Sequence, residues 1–101
     1  MEISFCDDQL CAVFNSYRLL RKVYGQELAH SIALRMGVLS AAPSLVAVPR
    51  KPPIRLRDEK GTYTVNLAKS RRLRFQSLQN ADGTAVDIEQ ITAIQILGLD
   101  Q

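Results

Sequence analysis

A chain of 101 residues, 47% hydrophobic and 23% charged, has the size and make-up of a single folded domain spanning 1–101 rather than of a disordered tail. No apolar run approaches the roughly 18 residues that span a bilayer, and the opening "MEISFCDDQL" is acidic where a secretory leader is basic. Net charge is only +3, yet residues 50–74 carry nine basic and two acidic groups, a local +7 that leaves −4 on the rest.

These features predict a protein of the cytoplasm, of bacterial type, with no membrane partner. A basic segment in a near-neutral body is the electrostatic footprint of a polyanion binder. Cys6 and Cys11 are the only cysteines and His30 the only histidine. No C-x-x-C pair or zinc set can be assembled from them, so both cysteines read as reduced thiols and His30 as a helix residue. Neither a metal nor a cofactor is expected.

In chain order, "EISFC" (2–6) alternates Ile3 and Phe5 on one side and predicts a short first strand. Asp7 and Asp8 supply a helix N-cap and first-turn negative charge. Leu10, Val13, Phe14, Tyr17, Leu20 and Tyr24 then recur at helical spacing, predicting one helix of about four turns with both tyrosines in the core. Gly25 ends it, and Leu28, Ile32, Met36 and Leu39 predict a second helix that stops near Pro43. The two would form a helical hairpin.

Four prolines between 43 and 53 change the texture to a stiff, extended connection. Four strand-like runs follow, Ile54–Arg57, Thr62–Leu67, Arg71–Leu78 and Ile88–Leu97, joined by "DEKG", "AKS" and a longer loop containing "NADG". Short links predict an antiparallel meander, with "ITAIQIL" as an interior strand. The expected architecture is α+β, in the order β-α-α-β-β-β-β, with two helices covering one side of a twisted antiparallel sheet.

Within this sheet "SRRLRF" (70–75) puts Leu73 and Phe75 on one face and Arg72 and Arg74 on the other. The two arginines would stand roughly 7 Å apart, close to the spacing of successive phosphates along a nucleic-acid strand. The chain contains no G-x-x-x-x-G-K-[ST], G-x-G-x-x-G, G-x-S-x-G or H-E-x-x-H motif. What it offers instead is arginine and lysine, which bind phosphate, and arginine can stabilise the charge of a pentavalent phosphorane. A guanidinium is a poor general base, because it stays protonated.

The stretch "RLRDEKGTYTVNLAKSRRLRF" (55–75) resembles the core motif of the RelE/HigB-like toxins, the plasmid-maintenance killer proteins of type II toxin–antitoxin systems. The matching pieces are the Lys60-Gly61 turn, the Tyr63-Thr64-Val65 strand and Arg72-Leu73-Arg74-Phe75. "LSAAPSLVAVP" and the tail "ITAIQIL" are similar to the family's helix-to-sheet link and last strand. The resemblance implies a RelE-like fold and a ribosome-dependent, metal-independent mRNA endonuclease, in which the RNA 2′-hydroxyl attacks the adjacent phosphate.

It also implies site residues. Arg72 matches the strand arginine of the motif, and Arg57 falls near a family lysine, which makes these two the catalytic candidates. Arg55, Lys60, Lys69, Arg71 and Arg74 are the RNA-binding candidates. The implied partners are the ribosome with its mRNA and a cognate antitoxin, a small helix-turn-helix protein of the HigA type. The chain departs from the family at its end, Gly98-Leu99-Asp100-Gln101, where killer proteins tend to finish in Asp-Tyr-His. That departure leaves open a gyrase poison of the ParE branch, or a degenerate toxin that only binds its antitoxin or RNA.

Overall fold

Asp7 opens the helical half of the molecule: its Oδ1 accepts a hydrogen bond from the Leu10 amide at 2.7 Å. The chain is described by a computed structural model over residues 1–59, 62–78 and 88–100. Lys60, Gly61 and the loop containing "NADG" lie outside these described residues. After strand β1 (Glu2–Phe5) come helices α1 (Asp8–Phe14), α2 (Tyr17–Tyr24) and α3 (Gln26–Ala41). Strands β2 (Arg57–Glu59), β3 (Thr62–Asn66), β4 (Arg72–Ser77) and β5 (Ala93–Asp100) complete the fold.

The described helices number three, not two. The apolar spacing that predicted one helix over 7–24 runs through a break at Asn15 and Ser16. Asn15 turns its amide back to the Cys11 carbonyl at 2.8 Å, and Ser16 takes extended backbone and caps α2 by accepting from Leu19 N at 3.3 Å. Short polar side chains that bond the local backbone compete with the helix at this point. The break also rotates the face presented by α2. Tyr17, expected in the core, is 45% exposed, while Leu20 on the same helix is buried.

Gly25 serves as C-cap of α2 and N-cap of α3 at φ 87° and ψ 164°, a backbone region open essentially to glycine alone. Helix α3 then buries Leu28, Ile32 and Leu39 as its spacing predicts. Ser31 and Arg35 tie it to the β3–β4 connection. Ser31 Oγ accepts from the Ala68 amide at 3.1 Å, and Arg35 Nε donates to the Asn66 carbonyl at 2.7 Å.

The sheet order is β1-β5-β4-β3-β2. Strands β2 to β5 form the expected antiparallel meander, but β1 runs parallel to β5, so the sheet is mixed. Local sequence predicts hairpins and is silent on a pairing between residues 3 and 94. The strand ranges also shift: β2 runs on through Glu59 and β5 through Asp100, while β3 is one residue shorter than expected and β4 one shorter at each end. Ile54 to Leu56 are not in a strand: Pro52 and Pro53 cannot donate to a ladder, and Arg55 sits at φ 53°. Ile88–Gln90 form a helical turn, and the last strand begins only at Ala93.

The pairs Tyr63↔Phe75, Val65↔Leu73 and Phe75↔Ile96 fix which side of the sheet is buried. On that side Val65, Leu73, Phe75, Ile94 and Ile96 are fully buried, in one cluster with Leu28, Ile32 and Leu39 of α3. Tyr63 stacks on Phe75 with ring centroids 5.8 Å apart, and Phe5 meets Phe14 edge-on at 5.6 Å. A bulge between Arg74 and Phe75 brings Gly98 opposite Arg74, and Gly98 takes φ 124° there.

Two outcomes check this arrangement by urea denaturation. Phe75→Ala should cost about 3–5 kcal/mol, whereas Arg74→Ala, one residue away on the exposed side, should change stability by no more than about 0.5 kcal/mol. Gly25→Ala should cost about 1–3 kcal/mol through backbone strain, since a Cβ there meets no atom within 4 Å.

Candidate nucleic-acid interface

The register that buries Leu73 and Phe75 sends the other set of side chains to the opposite side of the sheet. Arg57 pairs with Thr64, Thr64 with Arg74, and Asn66 with Arg72. Residues paired in register share a face, so Arg57, Thr64, Asn66, Arg72 and Arg74 all belong to the side away from the core. Arg74 is exposed and Arg72 half-buried.

The β3–β4 connection shapes one end of this face. Leu67 N donates to the Arg71 carbonyl at 2.8 Å and Arg71 N to the Ala68 carbonyl at 3.2 Å, closing a tight turn. Lys69 and Ser70 take φ 59° and 57° within it. The turn leaves a concavity of about 410 Å³ lined by Arg57, Asn66, Leu67, Ser70, Arg71 and Arg72. Arg57, Arg71 and Arg72 thus contribute to the wall of one hollow, with Asn66 and Ser70 beside them and no acidic residue among the described lining residues.

The seven basic candidates separate. Arg57, Arg71 and Arg72 converge in the concavity, and Arg74 shares the face with Arg72 two residues along β4. Arg55 is exposed outside the strands. Lys69 does not line the hollow and reaches instead toward α3, its Nζ 3.9 Å from Glu27 Oε2. This exposed pair adds little stability. Lys60 lies outside the described residues.

Asn66 and Ser70 were not singled out from sequence. Asn66 could have been: closing the hairpin across Leu67 and Arg71 puts it opposite Arg72. Arg35 was missed as well, because its role depends on the packing of α3. It holds the end of β3 by its bond to the Asn66 carbonyl and so helps position the concavity. Thr64 is the other surprise. Flanked in register by Arg57 and Arg74, it is only 1% exposed, and its Oγ1 has no hydrogen-bond partner among the described residues.

This set of groups suits an anion with several oxygens. Guanidinium donors make charge-assisted, often paired hydrogen bonds to phosphate and can stabilise charge that builds on phosphorus. A guanidinium donates hydrogen bonds and accepts none, so these arginines are suited to binding and stabilising an anion. His30 is exposed on α3 and is not among the lining residues.

Burial holds the Tyr24 phenol above the ordinary tyrosine value of 10.0, and the charge of Arg71 pulls it partly back. Tyr63 is likewise raised above 10.0, first by burial and then by Asp58, against a lowering by Arg50. Both folded values lie above the unfolded one, so the neutral phenols support the fold fully below about pH 10. That support is lost as pH rises through the folded values. The urea midpoint should therefore drop as pH rises above about 10, and Tyr63→Phe should lessen the drop.

Among the described residues no group of three or more His, Cys, Asp and Glu side chains is placed to hold a metal ion. No helix among them is long and apolar enough to cross a membrane. In comparisons with known proteins, no protein-family model matches this chain, and neither a curated protein nor a solved structure matches it.

Proposed function

We propose that this chain is a toxin of a type II toxin–antitoxin system, of RelE/HigB-like fold, acting in the cytoplasm on mRNA held by the ribosome. The observation that carries the reading is the meeting of Arg57, Arg71 and Arg72 in one hollow of the sheet's outer face. Arg72 is the arginine of the motif that resembles the family. In this reading the guanidinium groups grip the scissile phosphate and offset the charge that develops as the RNA 2′-hydroxyl attacks it. Proton transfers fall to groups outside the hollow, supplied by the substrate or the ribosome. A small helix-turn-helix antitoxin would neutralise the basic face.

The same lining favours a second reading, in which the protein binds its antitoxin or RNA without cutting. Among the described residues that line the hollow there is neither a histidine nor a carboxylate.

Induction of the protein alone, with mapping of mRNA 5′ ends, separates the two. Growth arrest with new ends in phase with codons is expected, and Arg72→Ala should lower cleavage by about 10²–10³-fold while the variant stays folded by circular dichroism. Harmless induction without new ends would leave the binding reading. Arrest with gyrase-dependent DNA breaks and intact mRNA would move the protein to the ParE branch.

A further inference from the structure

A second cationic surface lies on α2, on residues assigned no role above. Arg18, Arg21 and Lys22 are all exposed and, with Gln26, line a shallow concavity of about 370 Å³. Their spacing of three and four residues puts them side by side on one helical face. No ion pair or hydrogen bond of these three side chains occurs among the described residues. The helix itself, "YRLLRKVY", contains no acidic residue.

A solvated helix surface designed only for stability looks different. It mixes signs so that neighbours one turn apart attract, and it keeps cations away from its first turn, where the helix dipole is positive. Here Arg18 sits in that first turn, and both of its neighbours along the face repel it, although Arg21 and Lys22 fall in the last turn, where the dipole favours cations. The mutual repulsion of three like charges on one face is relieved by an external anion.

The exposed aromatic Tyr17 narrows the choice of anion. It lies one turn before Arg21 and is 45% exposed, although the apolar pattern would bury it. Cations beside an exposed ring form a platform for single-stranded nucleic acid, the cations on phosphates and the ring under an unpaired base. An acidic protein segment would use the charges and leave the ring without a partner. Arg18 and Lys22 are separated by about 6 Å of helix rise, which suits successive phosphates.

We infer that the outer face of α2, through Arg18, Arg21, Lys22 and Tyr17, is a second binding surface for single-stranded RNA. The inference goes beyond cleavage at Arg72: it requires the chain to hold a strand and does not require it to cut one.

Fluorescence anisotropy with a labelled 12-nucleotide RNA of mixed sequence, titrated at several salt concentrations, tests this on the full chain. The triple variant Arg18→Gln, Arg21→Gln, Lys22→Gln keeps good helix formers at exposed positions. It should weaken binding about 10- to 100-fold at 0.1 M salt and flatten the slope of log K against log salt by about 2. Tyr17→Leu should weaken binding about five- to hundredfold while leaving the slope unchanged, because stacking releases no counterions. Wild-type slope and affinity in the triple variant would overturn the inference, and full affinity in Tyr17→Leu would overturn the assignment to a single strand. These readings do not depend on induction: mRNA left intact in cells would sink the cleavage reading and leave the RNA-binding result standing.

Discussion

The alternation of β4 is the constraint on which the rest depends. Leu73 and Phe75 have no exposure at all, and a slip of one residue would send both to the solvent and bury Arg72 and Arg74 instead. The cost of burying unpaired guanidinium groups makes that alternative inaccessible. Once β4 is locked, its neighbours follow: Val65 opposite Leu73, Tyr63 opposite Phe75, and Arg57 across β3 from Arg74. The apolar core thus dictates where the arginines stand. Ser31 and Arg35 of α3 extend this control to the connection that shapes the hollow.

The charge distribution has the same two-sided logic. The basic excess of residues 50–74 is not spread evenly in space. Part of it meets in the hollow, part is diverted to Glu27 through Lys69, and part lies on the loop before β2. A separate set of cations on α2 comes from outside the basic segment altogether. Counting charge along the chain finds the first group and overlooks the second, because three cations in a helix of eight residues do not stand out in a linear tally.

How much could be read from the sequence follows from the range of the forces involved. The β3–β4 hairpin was legible because its signals are local: period-two alternation and a short polar link. Asp7 and Gly25 were legible for the same reason, since caps act within one turn. The break at Asn15 and Ser16 was hidden because the apolar spacing continues across it, and the exposure of Tyr17 was lost with it. The partnership of β1 with β5 joins the two ends of the chain, and no local pattern encodes it. In the site, strand alternation identified Arg72 and Arg74 as neighbours. The gathering of Arg57, Arg71 and Arg72, and the clamp by Arg35, required the turn and helix packing that only the fold supplies.

The position of β5 has a consequence for how the sheet folds. It sits inside the sheet, bonded to β4 on one side and to β1 on the other. The hairpin of β3 and β4 needs only neighbouring residues, whereas β1 finds its place only when Ile3 reaches Ile94, and Ser4 bonds to Ile94 across 90 positions of sequence. Contacts so distant in sequence slow folding. The mixed sheet therefore joins a fast local half, which carries most of the arginines, to a slow closing ladder that seals the other edge of β5.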